Sequence, residues 1–194
     1  MGLKYAVLAA VVVAICSALP PCTFAGVTER VSVSSSGQQG NGDSYASSIS
    51  ADGQYVAFMS GASNLVTGDT NWNNDIFVHD RQTGETTRVS LSSTGEQGNN
   101  DSRFSSISAD GRFVTFLSNS SNMVPGDTNG CCDIFVHDRQ TGQTARVSVS
   151  SSGEQGNSGS CLIPSISADG RFVTLADPND KHNTTIFSKK ETRK

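Results

Sequence analysis

The ten residues Asp-Ile-Phe-Val-His-Asp-Arg-Gln-Thr-Gly at positions 75–84 recur without change at positions 133–142, 58 residues further along the chain. Two shorter motifs repeat at 58 or 59 residues: Arg-Val-Ser begins at Arg30, Arg88 and Arg146, and Ser-Ile-Ser-Ala-Asp-Gly begins at Ser48, Ser106 and Ser165. Self-similarity at a fixed period of this size is typical of solenoids and propellers, in which each unit buries its apolar faces against its neighbours. The repeat therefore predicts the fold class before any single residue does.

Each repeat contains four short runs of β-forming residues bounded by turn residues. In the first complete repeat these runs occupy residues 45–50, 55–60, 75–81 and 86–91. An Asp-Gly pair between the first two runs supplies the positive φ angles of a tight hairpin, and Gln-Thr-Gly separates the last two. No stretch after residue 25 has a convincing apolar period of 3.6 residues, so no helix is expected. The predicted fold is all-β, built of β-propeller blades of four antiparallel strands; a β-sandwich ranks lower because it has no reason to repeat its sequence.

The motifs Ser-Ile-Ser-Ala-Asp-Gly-Arg-Phe-Val and Asp-Ile-Phe-Val-His-Asp-Arg-Gln-Thr-Gly resemble the blade motif of the TolB-type, WD-repeat-like β-propellers. The resemblance extends over about residues 27–187. It implies a secreted or periplasmic scaffold, most often a binding module and sometimes the non-catalytic partner of a peptidase domain. The motif marks a blade and contains no catalytic residue, so the resemblance is specific for the fold and does not identify a ligand.

The repeats divide the chain into a leader, a propeller region and a tail. We predict a signal peptide at residues 1–25, β-propeller repeats at residues 26–187 and a basic tail at residues 188–194. Within the propeller region we expect a lone fourth strand at 26–36, complete blades at 45–93 and 103–151, and an incomplete blade at 162–187.

These elements amount to about three blades, whereas propellers normally close with about four to eight. One hypothesis is a homodimeric six-bladed ring, in which the N-terminal fourth strand of each chain completes the third blade of the other and removes both exposed edges. The alternative is a partial propeller, a truncated piece of a longer one. The shortened ending at residues 177–194, which lacks the His-Asp-Arg-Gln-Thr-Gly turn, favours this alternative.

The leader has the three parts of a secretory signal: the positive Lys4, an apolar run at residues 5–19, and small residues at the cleavage position 23–25. The run is shorter than the roughly 20 residues that cross a bilayer, so cleavage is favoured over a membrane anchor. The predicted localisation is secreted or periplasmic, with no membrane association after signal removal. A net charge of −4 and scattered basic residues do not suggest nucleic-acid binding.

Three cysteines follow the leader, at Cys131, Cys132 and Cys161. Because their number is odd, at least one stays unpaired or joins another chain. A vicinal disulfide, a bridge from either neighbour to Cys161, and an isolated buried thiol are the alternatives.

The long loops between the second and third strands contain oxygen-bearing side chains at a spacing that suggests calcium binding. Their candidate ligands are Asp69, Asn71, Asn73 and Asp75 in the first loop and Asp127, Asn129 and Asp133 in the second. The alternate spacing matches the first oxygen ligands of a calcium loop. The second loop has Cys131 in the place of Asn73, and a thiol is a poor ligand for a hard cation. Ordinary surface turns use the same residue types, so an ion-free turn is the alternative.

No catalytic site is predicted. His79 and His137 precede the same Asp-Arg pair in successive blades, and a residue repeated around a ring does not converge with its copies into one constellation. No Gly-x-Ser-x-Gly nucleophile motif is present. Each histidine is expected to be hydrogen-bonded within its blade.

Antiparallel order places both tight turns of a blade on one face and the long loops and linkers on the other. A rigid scaffold that holds variable loops on one face is typical of recognition. The predicted function is a secreted, non-enzymatic module that binds a protein, peptide or glycan through the face with long loops, with calcium as the hypothesised stabiliser of those loops. The alternatives are the propeller portion of a hydrolase without its catalytic part, and a truncated product without a function of its own.

Overall fold

The computed structural model describes residues 26–156, 163–176 and 184–188. These residues form eleven β-strands and no helix. The first group comprises β1 (Ser44–Ile49), β2 (Tyr55–Ser60), β3 (Asp75–Asp80) and β4 (Thr86–Arg88). The second comprises β5 (Ser102–Ile107), β6 (Phe113–Ser118), β7 (Asp133–Asp138) and β8 (Gln143–Arg146). The third comprises β9 (Ile163–Ile166), β10 (Phe172–Ala176) and β11 (Thr184–Ser188).

Each group forms its own antiparallel sheet, in which strands adjacent in sequence are adjacent in space. The orders are β1-β2-β3-β4, β5-β6-β7-β8 and β9-β10-β11. The registers of the two four-stranded sheets match, since Phe58 is opposite Phe77 as Phe116 is opposite Phe135. The chain thus contains two complete propeller blades and a third sheet with three described strands. The predicted all-β fold, with four-stranded propeller blades and about three blades in this chain, is confirmed.

The fourth strands are shorter than predicted because a serine hydroxyl replaces part of their backbone pairing. β4 ends at Arg88, three residues before the end of the predicted run. The Ile76 N–H donates to Ser90 Oγ at 3.1 Å, and the Ser90 hydroxyl donates to the Asp75 carboxylate at 2.6 Å. The second blade repeats this arrangement at Ser148.

Neighbouring blades share a hydrophobic core. β1 packs against β5, and β5 packs against β9, so the innermost strands lie side by side. Every residue of β3 and β6 is buried, because neighbouring strands and blades cover both faces of these strands. The largest buried cluster combines residues of both complete blades, namely Ala57, Ile76, Val78, Val89, Ile107, Val114, Phe116, Met123 and Phe135.

A small loop in the linker before each complete blade holds the fourth strand of that blade. An isolated antiparallel bridge closes the equivalent loop before each of the three sheets: Val33 with Gln39, Leu91 with Gln97, and Val149 with Gln155. In the first loop, Ser35 Oγ accepts the Thr86 N–H at 3.0 Å and Val33 O accepts the Thr86 hydroxyl at 2.5 Å. The second loop holds Thr144 through the same two contacts. We call this arrangement the linker clasp.

The predicted lone fourth strand at residues 26–36 does not form a strand in this chain. Residues 26–30 are exposed and pair with no described strand, and the bridge at Val33 belongs to the first linker clasp. A single strand leaves its backbone N–H and C=O groups without partners, so it needs a neighbouring strand to form. Pairing with another chain stays a prediction.

Several other predictions concern residues that the structure does not describe. The predicted signal peptide at 1–25, Cys161 and residues 189–194 of the basic tail lie outside the described ranges. In the part of the chain that is described, no helix has the length and hydrophobicity to cross a membrane.

Candidate functional site

The long loops and the linkers lie together on one face, as the antiparallel order predicts. Gln97 Nε2 donates to Thr70 Oγ1 at 2.6 Å, and Asn71 Nδ2 donates to Gly98 O at 3.0 Å, so the β2–β3 loop is bonded to the next linker. On the opposite face the two tight turns of a blade meet, where the Arg81 N–H donates to Gln54 O at 2.9 Å. We call these sides the long-loop face and the tight-turn face.

A buried arginine binds two of the predicted calcium ligands in the first long loop. Arg88 Nη1 lies 3.2 Å from Asp69 Oδ1 and 3.1 Å from Asp75 Oδ2, and both carboxylates are almost inaccessible to solvent. Asn71 Nδ2 also donates to Asp75 Oδ2 at 3.0 Å, while Asn71 Oδ1 accepts the Asn73 N–H at 3.1 Å. Charge-assisted hydrogen bonds from the chain's own cation therefore hold this loop.

The second long loop contains the same cluster. Arg146 Nη1 lies 3.2 Å from both Asp127 Oδ1 and Asp133 Oδ2. Asn129 Nδ2 donates to Asp133 at 3.1 Å, and Asn129 Oδ1 accepts the Cys131 N–H at 3.1 Å. The change from asparagine to Cys131 preserves the cluster because this position contributes its backbone N–H rather than its side chain.

Each cluster combines two carboxylates with one guanidinium and so carries a net negative charge when all three groups are ionised. Burial raises the pKa of Asp69, opposed by the attraction of Arg88. Burial and the neighbouring Asp133 likewise raise the pKa of Asp127, opposed by Arg146. Loss of the arginine would leave two carboxylates close together in a poorly solvated site.

The structure brings all the predicted calcium ligands except the Asn73 side chain together around an arginine in each loop. The oxygens of Asp69 and Asp75 that face the cluster bond to Arg88, and Asn71 presents an N–H to Asp75. Among the described residues, no group of three or more His, Cys, Asp and Glu side chains is suited to a metal ion. Because an ion would have to displace the guanidinium, the observed contacts fit the ion-free turn better. Calcium binding stays a prediction that a titration tests.

Sequence reasoning did not single out Trp72, which lies in the first long loop. It is the only tryptophan of the chain, the residue is 89% exposed and its φ is 59°. Gly130 occupies the same position of the second loop with a φ of 64°. A left-handed backbone costs a non-glycine residue roughly 1–2 kcal/mol. Since Trp72 gains no burial in return, folding does not explain why a tryptophan stands at this position. An alignment of the two repeats shows the difference in sequence, because a glycine occupies the same position of the second loop.

Trp72 borders a polar cavity of about 170 Å³ on the long-loop face. The other lining residues are Asn41, Gly61, Ser63, Asp69 and Asn73. The Ser63 N–H donates to Asn41 Oδ1 at 2.9 Å and Asn41 Nδ2 donates to Ser63 Oγ at 3.0 Å, which fixes both side chains. The side-chain amide of Asn73 has no hydrogen bond to another described residue. An exposed aromatic ring thus lies beside oriented polar groups, an arrangement suited to ligand binding.

His79 and His137 are hydrogen-bonded within their blades, as expected from their repetition. His79 Nδ1 lies 2.8 Å from Thr86 Oγ1, and the only hydroxyl proton of Thr86 is donated to Val33 O. His79 Nδ1 is therefore the donor, which assigns the neutral ring to the Nδ1–H tautomer. Burial lowers the pKa of His79 and of His137, so both rings are neutral near pH 7.

The vicinal disulfide considered for Cys131 and Cys132 is not formed. Cys131 Sγ lies 3.4 Å from Asn129 O, within the second long loop. Pairings with Cys161 stay predictions because that residue lies outside the described ranges.

A scan against models of protein families gives no match for this sequence, and neither does a search of curated proteins. Among solved structures, the chain is similar to TolB from Acinetobacter baumannii, with 18% sequence identity, a TM-score of 0.44, and 76% of this chain and 32% of that chain covered. It is also similar to a putative TolB from Agrobacterium tumefaciens, with 18% identity, a TM-score of 0.45, and 74% of this chain and 44% of that chain covered.

A further similar structure is the β-propeller domain of the Trilobed protease from Pyrococcus furiosus, with 13% identity and a TM-score of 0.44. There, 75% of this chain and 38% of that chain are covered. The chain thus spans less than half of the length of each of these structures. Likeness at this level concerns the arrangement of β-propeller strands and carries no argument about ligand or activity.

Proposed function

We propose that this chain is a non-enzymatic β-propeller module that binds a ligand through its long-loop face. The observation that supports this most directly is Trp72, an almost fully exposed ring in a left-handed backbone conformation beside a polar cavity. Backbone strain without a folding benefit clusters at functional sites. Aromatic side chains also contribute large contact areas at low conformational cost, which is why they dominate recognition surfaces.

Among protein, peptide and glycan ligands, the lining of the cavity favours a glycan. Asn41, Asn73 and Ser63 contribute amide and hydroxyl groups, and no aliphatic side chain borders the cavity. A sugar ring presents C–H groups that pack against an indole and hydroxyls that bond to such polar groups. An aromatic anchor of a protein interface instead needs a well-packed, desolvated surrounding.

The non-enzymatic part of the proposal is supported by the bonding of the groups that could perform catalysis. The two described histidines are committed to threonines inside the blades, and the aspartates of the long loops are committed to arginines. An extracytoplasmic location is supported by the signal-like residues 1–25, and fractionation of cells that express the full chain tests it.

The binding proposal is tested by applying the purified protein to a glycan array and to an immobilised random-peptide library. Trp72→Gly places the residue of the second loop into the first, and Gln140→Ala on the tight-turn face is the matched control. We expect glycan binding that the control retains and that Trp72→Gly loses. Peptide binding with the same dependence on Trp72 would support the module and contradict the preference for glycans. Ligands insensitive to Trp72→Gly would contradict the proposed site.

A further inference from the structure

The two ends of the row of blades expose aromatic and aliphatic side chains. Tyr55, Phe113 and Phe172 are equivalent residues that begin the second strand of each blade. Phe113 is only 8% exposed, whereas Phe172 in the third blade is 41% exposed. At the opposite end, Tyr45 and Ile49 of β1 are more than half exposed.

Inside the chain, the first two of these rings each fit onto a glycine of the next blade. A Cβ at Gly111 would lie 2.1 Å from Tyr55 Cδ2, and a Cβ at Gly170 would lie 2.2 Å from Phe113 Cδ2. Arg139 lies over the Tyr55 ring, 4.4 Å from its centroid, and donates to Gly111 O at 2.7 Å. Ring, glycine and arginine together form the joint between the first and second blades.

The outer side of the first blade has the equivalent glycine and arginine, Gly53 and Arg81, but no aromatic ring packs onto this glycine. Arg81 Nη1 donates to Gly53 O at 2.8 Å, as Arg139 does to Gly111 O. The atoms nearest to a Cβ at Gly53 are Arg81 Nη1 at 3.6 Å and Ile49 Cδ1 at 3.9 Å, and no described aromatic ring contacts this position. Phe172 is therefore a ring without a described glycine partner, and Gly53 is the matching glycine without a ring.

Backbone hydrogen bonds between the tight turns follow the same order. The Ala51 N–H donates to Ala109 O at 3.0 Å, and the Ala109 N–H donates to Ala168 O at 2.9 Å. The Ala168 N–H makes no backbone hydrogen bond with a described residue. The third blade thus presents one half of the joint and the first blade presents the other half.

We propose that Phe172 of one chain packs onto Gly53 of the partner subunit, next to the partner's Arg81, and that two copies close a six-bladed ring. With about three blades per chain, two chains give a blade number within the usual range of about four to eight, and three chains exceed it. Two-fold symmetry forms the joint twice and leaves neither end of the row exposed. This joint lies apart from the long-loop face and does not depend on the proposed ligand site.

The N-terminal segment supplies an independent contact at the same joint. Thr28 is the repeat equivalent of Thr86, because it lies 58 residues earlier in the chain. Thr86 is bonded to the first linker clasp, whereas Thr28 is exposed. The third linker loop, bridged at Val149, has Ser151 at the position of the clasp serine, and no described threonine bonds to it. The partner's Thr28 fits this clasp and would add a fourth strand beside β11.

The test is the molar mass of the purified protein by light scattering over a dilution series. Gly53→Ala places a methyl group where the partner's ring would pack. Gly84→Ala is the matched control, because Gly84 has a similar φ of 77° against 74° and no heavy atom within 4 Å of its added Cβ. Phe172→Ala removes the ring itself. Circular dichroism establishes that each variant keeps its β-sheet content.

We expect a dimer whose dissociation constant rises by at least about tenfold in Gly53→Ala and Phe172→Ala and is unchanged in Gly84→Ala. If Phe172→Ala does not fold, the dissociation constants of Gly53→Ala and Gly84→Ala are sufficient to test the proposed contact. A monomeric wild-type protein, a ladder of higher oligomers, or equal dissociation constants for Gly53→Ala and Gly84→Ala would overturn the proposal.

Discussion

The first and second complete blades share a scaffold and differ in their long loops. Arg88 and Arg146 each lie between two aspartates at 3.1–3.2 Å, and the two strand histidines bond to threonines at 2.8 and 2.9 Å. At an equivalent backbone conformation, however, the first loop has Trp72 and the second has Gly130. Residues that recur between blades hold the fold, whereas a residue that does not recur is a better candidate for recognition.

The largest effect is expected where the blades agree most closely. Arg88→Leu would leave Asp69 and Asp75 buried without their cation, and we expect the free energy of unfolding to fall by about 3–5 kcal/mol. Arg146→Leu should have a similar effect because its contacts match. Urea unfolding measures both variants, and a large loss in one blade alone would show that the two clusters are not equivalent.

The same clusters give a direct test of calcium. Because an arginine already supplies the positive charge, we expect the melting temperature of the wild-type protein to be the same with calcium and with a chelator. A clear decrease in chelator would show that an ion stabilises the loops and would support the calcium hypothesis from the sequence.

A second large effect is expected at the joint between the two blades. Gly111→Ala should lower the free energy of unfolding by about 3 kcal/mol, since its Cβ would overlap Tyr55 in a left-handed conformation. Gly142→Ala has the same φ of 70° and nothing within 4 Å, so it should cost only about 1 kcal/mol. Thermal unfolding of the pair separates the inter-blade contact from the backbone preference.

Acid stability should distinguish the blades at their tight-turn face. Arg112 donates two hydrogen bonds to Asp138, which lowers the pKa of that carboxyl to about 2, from 3.8. At the equivalent place in the first blade, Gln54 donates to Asp80; burial raises the pKa of Asp80, but hydrogen bonds outweigh it and lower this pKa overall. A lowered carboxyl pKa stabilises the fold above about pH 4, and this contribution is lost as the pH falls toward about 2.

The exchange Arg112→Gln should therefore move the midpoint of acid unfolding to higher pH, and Gln54→Arg should move it to lower pH. Titration followed by circular dichroism measures both. Opposite or absent shifts would mean that the arginine in the second blade does not account for its acid resistance.

The smallest effect on stability is expected at the position where the blades differ most. Trp72→Gly should leave the free energy of unfolding unchanged or raise it by up to about 1 kcal/mol, because it relieves a left-handed backbone without loss of burial. Gly130→Trp should lower it by about 1–2 kcal/mol. A marked destabilisation by Trp72→Gly would show that the ring supports the fold, contrary to its proposed role.

The blade was predictable from sequence because its signals are local. Asp-Gly pairs mark the first hairpins, and β2 and β3 lie within one residue of their predicted bounds. The end of β4 was not predictable, since it depends on Ser90 contacting Ile76 from an adjacent strand. The candidate site was predictable only in part: the oxygen-rich loops were found, whereas the arginine between their aspartates and the exposure of Trp72 depend on the surrounding fold.

The sequence by itself determined the repeat, the strand count per blade and the division into two unequal faces, because periodicity and turn glycines act over a few residues. Only the tertiary structure decided which charges meet. Arg88 reaches Asp75 from 13 residues away along the chain, and that contact exists because β3 and β4 pair. The tertiary structure also decided which equivalent residues are covered, since Phe113 has a following blade beside it and Phe172 has none among the described residues.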